Sequence, residues 1–126
     1  MPTAKVLVIE DNPMNMELAS DLLRARGYDV LQAATALEAL GVLQEFKPDL
    51  ILMDIQLPGL NGLDLTKRLK EDPRTKEIPI IAMTAYAMKG DEEKIFQAGC
   101  IGYIPKPIDT RQFSHMVESV LSRSHV

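Results

Sequence analysis

Residues 49–62 read DLILMDIQLPGLNG: four apolar residues, Leu50 to Met53, lead into one carboxylate, Asp54, and then into a turn-rich stretch with Pro58, Gly59, Asn61 and Gly62. A strand with one wet face alternates apolar and polar residues, whereas an unbroken apolar run bounded by turn formers indicates a strand covered on both faces. Sheets of that kind are parallel, with helical crossovers. Working outward, Lys5–Glu10 (KVLVIE) and Pro79–Met83 (PIIAM) read as further buried strands. Asp29–Ala33 is more polar and suits an edge, as does the short strand Gly102–Pro105 with its proline.

Helical spacing fills the gaps. Met14–Arg26 places Leu18, Leu22 and Leu23 at helix intervals before Gly27, and Thr35 caps a helix to about Phe46, with Glu38 completing a capping box. Leu63–Glu71 ends at Asp72-Pro73, and Asp91–Ala98 ends at Gly99. Asp109–Ser122 carries Phe113, Met116, Val117, Val120 and Leu121 on one face. Strand–helix units joined by right-handed crossovers give an α/β fold with a doubly wound parallel sheet.

A length of 126 residues fits one domain able to bury a core without disulfides or metal staples. The net charge of -4 argues against a nucleic-acid-binding surface, which normally shows an excess of Lys and Arg. No apolar run approaches the roughly 18 residues of a membrane span, and the N-terminus lacks a signal-peptide core. The one cysteine, Cys100, has no internal disulfide partner, which fits a reducing compartment, so a cytoplasmic protein is expected. Cys100 reads as a small packed residue, and Met83 as core; Met14 and Met16 border the site or a docking face if they are not simple filler.

Ligands of doubly wound sheets sit at the carboxyl ends of the strands. There the chain places Glu10 and Asp11 after the first strand, Asp54 after the third, Thr84 after the fourth and Lys106 after the fifth. Singly, an acid after a strand is an ordinary turn former or helix cap. The joint pattern across four strands is harder to assign to capping. Three converging carboxylates repel unless a cation neutralises them, and hard oxygen ligands suit Mg²⁺. Zinc lacks its ligand spacing, since His115 and His125 lie in the last helix and the tail. A carboxylate beside Mg²⁺ can act as a nucleophile towards phosphorus, giving an aspartyl phosphate. Thr84 could donate to a phosphoryl oxygen and Lys106 could neutralise its charge.

On these residues the chain resembles the receiver domain of two-component response regulators. The motifs that carry the resemblance are VLVIEDN with Glu10-Asp11, PDLILMDIQLPGLNGLDL with Asp54, IPIIAMTAYA with Thr84, and AGCIGYIPKPI with Tyr103, Lys106 and Pro107. Among receivers it is most similar to stand-alone regulators of bacterial cell-cycle or developmental signalling. The resemblance implies a flavodoxin-like receiver fold with strand order 2-1-3-4-5 and five helices, and a single receiver domain over residues 1–126 with no output domain. It implies Asp54 as phosphoacceptor, served by a sensor histidine kinase or histidine phosphotransfer protein. Asp11, Asp54 and the Gln56 backbone carbonyl would bind Mg²⁺ directly, and Glu10 mostly through water.

Thr84, Ala85 and Lys106 would hold the phosphoryl group, Tyr103 would rotate inward on activation, and the Lys106-Pro107 bond would be cis. Gln56 and Tyr86 would tune dephosphorylation, with the bulk of Tyr86 slowing it. A downstream protein would read the fourth helix, fifth strand and fifth helix, roughly residues 89–98 and 103–121, on a monomer or weak dimer. Neither nucleic acid nor membrane is expected as a partner. Such a protein is a switch that catalyses only its own aspartyl phosphorylation and dephosphorylation. Two alternatives stand beside it: a degenerate receiver serving as a constitutive binding module, and a haloacid-type phosphatase. The phosphatase normally needs a second acid two residues after the nucleophile, where this chain has Gln56.

Overall fold

The computed structural model describes residues 3–57, 61–85 and 89–124. Pro58, Gly59, Tyr86 and His125, singled out above, lie outside the described residues. Among the described residues the strands are β1 (Lys5–Ile9), β2 (Asp29–Ala33), β3 (Leu50–Asp54), β4 (Ile80–Thr84) and β5 (Gly102–Pro105). The helices are α1 (Pro13–Ala25), α2 (Ala36–Glu45), α3 (Gly62–Glu71), α4 (Lys89–Ala98) and α5 (Thr110–Ser124). All neighbouring strands pair in parallel, in the order β2-β1-β3-β4-β5. The order reverses between β1 and β3, which places a crevice at their carboxyl ends.

The unbroken apolar runs are explained by cover on both sides. Leu7, Ile9, Ile51, Met53, Ile80 and Ala82 face one layer, packing with Ala39, Leu65, Leu69 and Ile95 of α2, α3 and α4. The alternate set, Val6, Val8, Leu50, Leu52, Ile81 and Met83, packs with Ala19 and Leu23 of α1 and with Phe113 and Val117 of α5. A period of two is present in space and invisible in hydropathy, because both phases are apolar.

The helix boundaries follow caps more closely than periodicity. Helix α1 starts at Pro13, one residue before the expected Met14, because Asn12 caps it: its side chain accepts from the N–H groups of Met14 (2.9 Å) and Asn15 (3.1 Å). Proline suits this first position, since its missing N–H would have no helical partner. The inward face of α1 is also turned from the expected one. Ala19, Ser20 and Leu23 are buried while Leu18 is 37% exposed, and buried Ser20 accepts a hydrogen bond from Gln32 of β2 at 2.9 Å.

In α2 the Thr35 hydroxyl accepts from the Glu38 N–H at 3.1 Å, as the capping box requires. The Glu38 carboxylate returns to the Ala34 N–H (3.2 Å) and the Thr35 hydroxyl (3.3 Å), so the box closes one residue early. Helix α3 begins at Gly62 behind Asn61, and α4 begins at Lys89, two residues before the expected Asp91. Asp109 lies outside α5 as a cap, accepting from the N–H groups of Arg111 (2.9 Å) and Gln112 (3.0 Å).

Candidate functional site

Four strand ends deliver the expected groups to one rim. Asp54 is the last residue of β3 and is almost wholly buried; Thr84 ends β4 and is fully buried. Glu10 lies one residue beyond β1, its backbone N–H held by the Ala33 carbonyl at 3.0 Å, and its side chain is buried while Asp11 is exposed. The Lys106 backbone N–H donates to the Thr84 carbonyl at 2.7 Å, which ties the residue after β5 to the end of β4. The Lys106-Pro107 bond is cis.

The carboxylates of Glu10, Asp11 and Asp54 bring one oxygen each within 4.8 Å of one another. One oxygen of each buried acid is held by the chain: Asp54 Oδ1 accepts from the Gln56 N–H (2.9 Å), and Glu10 Oε1 from the Asn12 N–H (3.2 Å). The Lys106 ammonium lies 2.8 Å from Glu10 Oε2 and 3.3 Å from Asp54 Oδ2. The first of these contacts is a close charge pair, and among the described residues the buried Oε2 has no polar partner besides this ammonium.

Burial pushes the Glu10 carboxyl above its ordinary range; Lys106 opposes that and the Asp54 charge adds to it. For Lys106, burial alone would favour the neutral amine, but the two carboxylates outweigh it and hold the ammonium above its ordinary value. Among the described residues three converging carboxylates face one ammonium, which leaves net negative charge that a second, harder cation would neutralise. The donor set contains only oxygen, which fits Mg²⁺.

Not every expected residue joins this cluster. Gln56 and Ala85 are exposed beside it. Tyr103 is half-buried on β5, but its hydroxyl donates to Glu92 Oε1 of α4 at 2.5 Å and its ring stands edge-on to Phe96. Three contributors escaped the sequence reading. Asn12 caps α1 and fastens Glu10 with its N–H, a dual role signalled only by an Asn-Pro pair after a strand. Glu92 carried no signal at all.

Gly62 was read as a turn residue, yet it begins α3 and donates its N–H to the Ile55 carbonyl at 3.2 Å. A Cβ there would stand 2.4 Å from the Asp54 carbonyl oxygen and 2.5 Å from Ile55 Cα. Glycine is needed for close approach to the backbone of the candidate nucleophile, with no positive φ involved.

The chain matches the response regulator receiver domain over residues 6–118. It is 51% identical over 119 residues to the polar-differentiation response regulator DivK of Brucella ovis, covering 94% of this chain and 97% of that protein. Among solved structures, the receiver domain of the sensor histidine kinase PA1611 from Pseudomonas aeruginosa superposes with a TM-score of 0.87 at 32% identity, over 96% of this chain and 99% of that one. That receiver has a magnesium ion coordinated in its active site cleft. The chemotaxis response regulator CheY4 of Vibrio cholerae superposes with a TM-score of 0.89 at 26% identity, over 94% and 99% of the two chains. Sequence kinship over nearly the whole length and a superposable sheet agree with the acidic rim: the chain belongs to the response regulator receiver domain family and is a signalling switch of two-component systems.

Proposed function

We propose that Asp54 is the phosphoacceptor and that a phosphohistidine on a sensor kinase or phosphotransfer protein is its donor. The observation that carries this is the position of Asp54: a buried strand-end carboxylate with Lys106 at 3.3 Å, inside the three-acid cluster. In the transfer, an Asp54 carboxylate oxygen bonds to phosphorus as the histidine N–P bond breaks, and the electron pair returns to the imidazole. Asp11, Asp54 and the Gln56 backbone carbonyl would hold Mg²⁺, with Glu10 acting through water. Bound there, Mg²⁺ supplies neutralisation of the phosphoryl and carboxylate charge.

Lys106 is already paired with Asp54 and would follow the charge onto the phosphoryl oxygens, with Thr84 and Ala85 completing the cradle. Moving a two-state equilibrium from 1:99 to 99:1 needs about 5.5 kcal/mol of differential interaction. A charge-assisted hydrogen bond from Thr84 supplies roughly 1.5–3 kcal/mol. Thr84 alone is insufficient, so Lys106 and an inward swing of Tyr103 must share the task.

The output surface in this reading is α4, β5 and α5. Its support is an open groove of about 580 Å³ lined by Phe96, Ile101, Tyr103, His115 and Met116, with Phe96 and Ile101 each about half exposed. A protein partner is the occupant in this reading, and the chain works in the cytoplasm; no described helix is long and apolar enough to cross a membrane. Its only catalysis is its own phosphorylation and dephosphorylation, the latter slowed by Tyr86 while Gln56 orients water.

Intact-protein mass after incubation with acetyl phosphate, in Mg²⁺ or in EDTA, tests the reading. One Mg²⁺-dependent phosphoryl adduct, absent from Asp54→Asn, is expected. A folded protein that takes no phosphoryl group from acetyl phosphate or from a panel of histidine kinases is a constitutive binding module instead.

A further inference from the structure

We infer that Glu92 is a latch that holds Tyr103 outward and so restrains the switch. This rests on the phosphoryl reading of Asp54 and names a regulatory residue for that same site. In register, Tyr103 of β5 lies opposite Ala82 of β4, and Thr84 is two residues further along the same strand. Alternate residues share a face, so Tyr103 and Thr84 stand on one side of the sheet and an inward swing of the ring runs along it.

Helix α4 blocks that swing at two points one turn apart. The Tyr103 hydroxyl donates to Glu92 Oε1 at 2.5 Å, and its ring meets Phe96 edge-on, centroids 6.4 Å apart at 71°. Residues at this spacing lie on the same helix face. A phenol bonded to a carboxylate makes a charge-assisted hydrogen bond, stronger than one between neutral groups. The Glu92 carboxylate keeps the phenol protonated above its ordinary range. To turn inward, the ring must leave a half-buried carboxylate without this donor.

The test is the initial rate of adduct formation from acetyl phosphate in Mg²⁺, followed by intact mass on the full chain, in a double-mutant cycle. Glu92→Ala should speed phosphorylation by roughly threefold to tenfold, and Glu92→Gln, which keeps an acceptor without the charge, should fall between it and the wild type. In a Tyr103→Phe background the same Glu92 substitutions should change nothing further, because no hydroxyl remains to be held. An unchanged rate in Glu92→Ala, or a gain that persists without the Tyr103 hydroxyl, overturns the latch while leaving the phosphoryl reading intact. No adduct in any variant overturns the phosphoryl reading, and the latch with it.

Discussion

At the scale of single residues, the site is most constrained where it has least side chain. Gly62 lets the start of α3 lie against the Asp54 carbonyl, and a methyl group there has backbone on two sides. Backbone cannot rotate out of the way as a flexible side chain can. Gly62→Ala is therefore expected to destabilise by about 1–3 kcal/mol, the usual cost of overpacking, as a lower urea midpoint. It should also slow phosphoryl uptake, since the atoms displaced carry the proposed nucleophile, Asp54.

Cys100 gives the opposite kind of prediction. It is buried, burial raises its thiol pKa, and Thr66 and Lys70 only partly offset that. Reaction with a disulfide reagent at pH 8 should be slow in the native protein and should rise in step with unfolding by urea. A rapid reaction before the transition would contradict the packed environment.

Elements owe their ends to a few polar side chains. Asn12 does two jobs at the join between β1 and α1, capping the helix with its side chain and holding Glu10 with its backbone. Asn12→Ala is expected to cost about 1 kcal/mol by chemical denaturation, and Asn12→Gly only a few tenths, because the cap then passes to solvent and backbone.

Lys70 works at the other end of α3. Its ammonium donates to the carbonyls of Lys76 (3.1 Å) and Ile78 (2.7 Å), fastening the loop that leads into β4. Its stem fills the space beside Gly99, whose φ of +116° suits glycine. Lys70→Met keeps most of the stem and loses both bonds. A loss of about 1–2 kcal/mol is expected, with the α3–β4 loop amides exchanging faster by hydrogen exchange.

For the molecule as a whole, the sheet is an apolar slab covered on both faces and charged at one rim. Because the acids at that rim converge in the folded state, Mg²⁺ should bind the native chain in preference to the unfolded one. At about tenfold over its dissociation constant it would add about 1.4 kcal/mol of stability. The expected observation is a higher thermal midpoint in Mg²⁺ than in EDTA, and a smaller difference in Asp11→Asn. Equal midpoints for the wild type in the two buffers would count against the acidic cluster as a cation site.

Much of this architecture could be read from the chain alone. Unbroken apolar runs such as Leu50–Met53 and Ile80–Met83 demand cover on two faces, which leaves little choice but a parallel sheet wrapped by helices. The residues that end those runs share one rim by topology, so Glu10, Asp11, Asp54, Thr84 and Lys106 could be grouped before any coordinates. Folding settled matters of orientation and approach. Which side of α1 turns inward depends on where the helix lies over β1 and β2, so Ser20 is buried and Leu18 is not. The need for glycine at position 62 arises from a neighbour on another element, Asp54, and has no trace in local propensity. The direction of Tyr103 is set by Glu92 and Phe96, which arrive with α4. Hydrophobic periodicity reports burial along a segment, whereas a rotamer or a close contact reports what another segment brings to it.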